Sequence, residues 1–257
     1  MIALAHRAGC TVIAHHIDHG IRPESAAEAG IARSIAERIG VDFELHTVRV
    51  ERGPNLEARA RAARTRALPP EALTGHTADD QAETLILRLL RGSGSWGLAA
   101  MDPGPSHPIL ALRRFETEAV CTELGIEPVR DRSNDVLDAW RNRIRHELLP
   151  LATEIASRDL TPILNRTADL LRDDDRFLDA LAGTIDPTDA KQIAAADPVL
   201  ARRALRRWLT VDGYPPDAAS IERVIAVAHG DGVACELTGG RRVERSHQHF
   251  RIISPDR

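Results

Sequence analysis

Residues 76 to 84 read His-Thr-Ala-Asp-Asp-Gln-Ala-Glu-Thr, a stretch in which His76, Asp79, Asp80 and Glu83 crowd together. On a helix starting near Ala78, Asp79 and Glu83 stand four apart, as do Asp80 and Thr84, so each pair shares a face. Asp79 and Asp80 fall in the first turn, where free backbone N–H groups and the helix dipole favour anions. Such a cluster can hold Mg²⁺ through carboxylate oxygens, with nucleotide phosphates completing the shell. Its spacing is not the HExxH of zinc proteases. A solvated, well-capped helix start is the plainer alternative.

Three other stretches carry chemical potential. His15-His16-Ile17-Asp18-His19-Gly20 crowds ionisable groups at the end of an apolar run. In open α/β sheets, ligands bind beyond the carboxyl ends of strands, which singles out Asp18 and His19. Arg91-Gly92-Ser93-Gly94-Ser95-Trp96-Gly97-Leu98 has glycines that permit close backbone approach and serines that can meet phosphate or ribose. It lacks the GxxxxGK[ST] pattern, and a linker with a packed tryptophan fits equally well. In Arg141-Asn142-Arg143-Ile144-Arg145-His146, Arg141 and Arg145 are four apart and share a face suited to phosphate. Arg59, Arg61, Arg64 and Arg66 line a further helix whose other face is alanine, and Glu57 can pair with Arg61.

The elements that must position these groups alternate. Residues 1–9 read as the end of a helix stopped at Gly9, and 11–17 as a buried strand. A helix over 24–39 follows, then a strand over 42–50, a helix over 56–68, a short strand end at 72–75 and a helix over 78–90. Connections this long suit βαβ units and a parallel sheet. Beyond Pro103–Pro108 come helices at 114–124, 143–149, 160–182, 189–194, 197–210 and 217–229. The chain closes with short strands at 233–237, 241–245 and 249–253, two of them joined across Gly239-Gly240. The expected architecture is α/β, a parallel-sheet domain followed by a mostly helical one. Residues 1–150 form the first, 151–230 the second, and 231–257 a short β-rich tail.

With 257 residues the chain can bury a substantial core. No apolar run reaches the ~20 residues needed to cross a bilayer and no signal peptide is evident, so the cytoplasm is expected. Cys10, Cys121 and Cys235 have neither zinc nor disulfide spacing and are expected to be buried or incidental. A net charge of −4 does not by itself announce a nucleic-acid binder. The basic residues are nevertheless almost all arginine, Lys191 being the only lysine, and arginine offers a planar fork to phosphate.

Taken in order, six pieces resemble the tRNA(Ile)-lysidine synthases, a branch of the PP-loop ATP pyrophosphatases. They are HIDHGIR at 16–22, EARARAAR at 57–64, GHTADDQAET at 75–84, RGSGSWGL at 91–98, HPIL at 107–110 and RDRSNDVLDAWRNRIRHELLP at 130–150. The resemblance implies a ligase that uses ATP and Mg²⁺ to adenylate C2 of the wobble cytidine in a CAU-anticodon tRNA(Ile). Free L-lysine then displaces AMP to give lysidine. By position, it implies catalytic roles for His76, Asp79, Asp80 and Glu83, with Asp79 and Asp80 meeting the metal. Asp18, His19 and Arg22 match a nucleotide-binding loop, and Arg141 and Arg145 match arginines that face phosphate or tRNA. The family's SGGxDS phosphate loop, with the first strand before it, is expected upstream of Met1. The proton acceptor stays open among His76, Asp18 and Glu83.

Two other functions compete. A PP-loop tRNA thiolase would be expected to carry reactive cysteines, usually CxxC, which the three cysteines do not form. A non-catalytic tRNA-binding remnant needs no phosphate loop.

Overall fold

The computed structural model describes residues 1–18, 25–49, 56–126, 140–211 and 215–254. Contacts divide the chain into two compact units, Met1–Asp169 and Leu170–Arg257.

In the first unit, helix α1 (Ile2–Arg7) precedes strand β1 (Ile13–Asp18). Helix α2 (Ser25–Ile39) then returns the chain to strand β2 (Asp42–Thr47), and Gly40, at φ +86°, ends α2 where a side chain would be strained. The two strands pair in parallel from Ile13 opposite Asp42 to Asp18 opposite Thr47. This is the crossover that a strand, a helix and a second strand of these lengths require. Alternation puts Ala14, His16, Phe43 and Leu45 on one face and His15, Ile17, Glu44 and His46 on the other. Arg33 of α2 stacks over the Phe43 ring at 4.7 Å, which places α2 on the first face.

Strand β1 is less buried than its apolar character predicts. Only Ala14 is buried in it, and Ile13 is 45% exposed. Two histidines and an aspartate within six residues leave too little apolar surface to close both faces. The strand end expected at 72–75 forms no ladder, although Thr74 donates its N–H to the Ser106 carbonyl at 2.9 Å.

Helix α3 (Leu56–Ala67) is followed by α4 (Ala78–Leu90), whose bounds match the amphipathic pattern. Leu85 and Ile86 of α4 are buried against Ile144, Ala168, Leu149 and Leu164. Next come the short α5 (Ser95–Leu98) and α6 (Arg114–Glu123). The helix expected at 143–149 is longer and irregular. It begins as α7 (Trp140–Arg143), passes through a π-helical turn at Ile144–Leu148 and continues as α8 (Leu149–Ala156). Pro150 has no N–H to give the carbonyl one turn back, and the wider turn accommodates that loss. Helix α9 (Thr161–Ala182) crosses the division between the units.

In the second unit, α10 (Ala190–Ala195), α11 (Pro198–Leu209) and α12 (Ala218–His229) each start at an aspartate. Asp189, Asp197 and Asp217 accept first-turn backbone N–H groups, satisfying donors that a helix leaves unpaired. Strands β3 (Ala234–Glu236), β4 (Arg242–Ser246) and β5 (His249–Ile253) form an antiparallel sheet. Val243 and Phe250 share one core with Ile193, Leu205, Leu209 and Val224, so the sheet belongs to the helical unit's own interior. No helix among the described residues is long and apolar enough to cross a membrane.

Candidate active site: an acidic helix start held by four arginines

Helix α4 begins after Thr77, whose N–H and hydroxyl both donate to the Asp80 carboxylate at 2.8 Å. Asp80 thereby fixes the turn that presents all three acids. Asp79 points to α6 and accepts the Arg114 backbone N–H at 2.6 Å, capping that helix from outside. It also accepts from Arg113 Nη2 at 3.1 Å, and Arg113 reaches on to Asp159, which accepts the Thr161 N–H at the start of α9.

Glu83, one turn on, is 1% exposed. A carboxylate removed from water to that degree costs several kcal/mol unless its charge is compensated, and three guanidinium groups do so. Arg114 Nη2 donates to Oε1 at 3.0 Å, Arg141 Nε to Oε2 at 3.0 Å, and Arg145 Nε and Nη2 to Oε1 and Oε2 at 2.7 and 3.0 Å. The same three arginines approach Asp80 Oδ1 more loosely, at 3.3 to 3.5 Å. Burial works against the Asp80 charge, but the two Thr77 bonds and Arg114 and Arg141 outweigh it, holding this carboxyl below its ordinary value.

His76 lies beside this cluster. Its Nδ1 pairs with the Thr74 hydroxyl at 2.9 Å, and its ring stands 5.3 Å from that of His107. Burial pushes its pKa below the ordinary 6.5; Asp80 pulls it back, while His107, Arg141 and Arg64 lower it further. His76 is therefore neutral at pH 7 and able to accept a proton. A histidine whose pKa falls on folding binds fewer protons folded than unfolded, so its contribution to stability is lost as pH falls through the unfolded value near 6.5. Urea melts across pH 5.5 to 7.5 should show stability decreasing as the pH is lowered, with a shallower slope in His76→Gln. An unchanged slope would mean that His76 already titrates as in the unfolded chain.

A family model described as "PP-loop domain" matches residues 1–152. A tRNA(Ile)-lysidine synthase of Mycolicibacterium paratuberculosis is 40% identical over 212 residues, covering 77% of this chain and 66% of that protein. Proteins of the same name from Nocardia farcinica and Thermobifida fusca are 37% and 36% identical, covering 86% and 93% of this chain and 76% and 82% of their own lengths. The chain belongs to the tRNA(Ile)-lysidine synthase family. It spans about two thirds of the length of the first of these relatives.

Within this family member, Asp80 and Glu83 of α4 pair with Arg141 and Arg145, whereas Asp79 pairs with Arg113 and the Arg114 N–H. Asp18 ends β1, on another element. His19 and Arg22 lie outside the described residues, as does the Glu57–Arg61 pairing. The expectation that Asp79 and Asp80 form a carboxylate shell for Mg²⁺ meets a different arrangement. Each oxygen of Asp79, Asp80 and Glu83 already accepts an N–H or O–H, and four guanidinium cations face three carboxylates. A donor set so occupied, its charge already balanced once Asp159 is counted against Arg113, does not fit a magnesium ion bound on its own. Nor does Gly92–Leu98 behave as an open phosphate loop. Arg88 Nη1 bonds the carbonyls of Gly97 and Ala100 at 2.8 and 3.0 Å, tying it to α4. Trp96 is half-exposed rather than packed, and Cys10 is exposed.

Arg113 and Arg114 were not legible as site residues. One signal does exist for them: two arginines at the positive end of a helix oppose its dipole, so a tertiary acid must face them.

Proposed function

We propose that this chain joins lysine to C2 of the wobble cytidine in a CAU-anticodon tRNA(Ile), at the cost of ATP. In the first step the cytidine oxygen attacks the α-phosphate of ATP and pyrophosphate leaves. In the second, the lysine amine attacks C2, a carbon–nitrogen bond forms, AMP departs, and the amine gives up a proton. The observation that carries this reading is the convergence of Arg114, Arg141 and Arg145 on Glu83 and Asp80, inside the region matched by the PP-loop model.

The acids orient the arginines. Glu83 and Asp80 hold the three guanidinium groups in fixed directions, so that little reorganisation is needed when phosphate charge develops nearby. Arg114 and Arg141 are the more exposed of the three, each 33% accessible, and face the departing pyrophosphate in this reading. Asp18, with His19 and Arg22 after it, takes the nucleotide at the end of β1. Glu83 is a poor base, being buried and fully engaged. His76, neutral and beside Asp80, is the better acceptor for the lysine proton. Mg²⁺, which the family uses with ATP, carries no step derived from these residues.

The test is labelled-lysine incorporation by the full-length gene product into CAU-anticodon tRNA, with ATP. Incorporation is expected only with all three substrates present. ATP-independent tRNA binding without incorporation would contradict the proposal.

A further inference from the structure

The face of the β1–β2 sheet opposite α2 carries a second constellation that the reaction above does not use. His15 and Glu44 are directly paired across the strands, and His46 stands two residues on, opposite Ile17 and on the same face. Parallel pairing therefore brings His15, Glu44 and His46 together on one face although 31 residues separate the histidines. His15 Nδ1 lies 2.9 Å from His46 Nε2. Glu44 Oε2 lies 3.4 Å from the first and 3.7 Å from the second. Both histidines are partly covered, at 17% and 25% exposure, while Glu44 is open to solvent.

From these residues we propose a binding site for a first-row transition-metal dication, zinc foremost, held by His15 Nδ1, His46 Nε2 and Glu44 Oε2 with water as a fourth ligand. Tetrahedral zinc with bonds of about 2.0–2.1 Å sets its ligand atoms roughly 3.3 Å apart. The two distances to Glu44 stand close to that spacing, and the histidine nitrogens need to part by only about 0.4 Å. Two imidazoles facing each other at hydrogen-bond distance share one proton. When the ion enters, the donor ring moves that proton to its other nitrogen, and both facing atoms offer lone pairs. Two neutral imidazoles and one carboxylate suit zinc or cobalt and are poor ligands for magnesium, which prefers an all-oxygen shell. The ion would cross-link β1 to β2 near Asp18, a bracing role separate from the ligase reading and testable without it.

The full chain is titrated with Zn²⁺ alone and with Co²⁺ alone, by calorimetry and by absorption. One equivalent is expected to bind, with visible cobalt bands of a four-coordinate nitrogen and oxygen site and no near-ultraviolet thiolate band of the kind exposed Cys10 would give. His15→Gln and His46→Gln should each weaken binding roughly tenfold or more, and Mg²⁺ in excess should not compete. Glu44→Gln, at an exposed position, provides the decisive loss of affinity should a histidine variant fail to fold. No saturable binding would leave only a hydrogen-bonded histidine pair beside Glu44 and overturn the proposal. Binding that persists unchanged in the variants, or a thiolate band, would place the metal elsewhere and overturn it equally.

Discussion

Glu83→Ala should lower the stability of the first unit by about 3–5 kcal/mol, read as a shift in urea denaturation. Removing this buried acid takes away the acceptor for four guanidinium hydrogen bonds and leaves Arg114, Arg141 and Arg145 facing one another beside Asp80. Like charges at such separations repel, and they stay partly screened from water. Glu83→Gln keeps the shape and some acceptor capacity but leaves the cations uncompensated, so it should fall between the wild type and Glu83→Ala. A loss below about 1 kcal/mol, the scale of an exposed ion pair, would show that the arginines turn outward freely. Glu83 would then not be the centre that orders them.

Arg141→Ala should reduce ATP-dependent AMP formation on tRNA roughly a hundredfold or more, the scale of losing one oriented donor to developing charge. Stability should change much less, because Arg114 and Arg145 still compensate Glu83. Arg141→Lys retains the charge but not the fork that bonds Glu83 and Asp80 together. It should recover only part of the activity. Parallel measurement of tRNA affinity separates the two roles read for this residue. If affinity falls as far as turnover, Arg141 grips the tRNA backbone. If turnover alone falls, it acts on the triphosphate.

How much of this was legible in the sequence depended on the range of the interactions. Helix α4 could be bounded at Ala78 and Leu90 because its apolar spacing and acidic first turn are local signals. The shared face of Arg141 and Arg145 is equally local, and it persists although the helix passes through a π turn that no periodicity announces. The acids of α4 could be read as an anionic cluster, but not with what. Their counter-charges come from 31 to 65 residues away, and those arginines turn an apparent metal shell into an ion-pair network. Arg113 and Arg114 were hidden for the same reason: their role exists only once Asp79 caps α6. His15, Glu44 and His46 depended on a parallel register, since a slip of one residue would put them on opposite faces. Apolar content alone overstates the burial of β1, where Ile13 lies open, because it does not say how many elements cover a strand.

The most direct measurement is AMP release from ATP by the full-length gene product on a CAU-anticodon tRNA, followed with and without lysine. tRNA should trigger pyrophosphate release, AMP should appear at the steady-state rate only when lysine is added, and one lysine should be incorporated per AMP. AMP release independent of lysine, or none with the tRNA and lysine both present, would contradict the ligase reading.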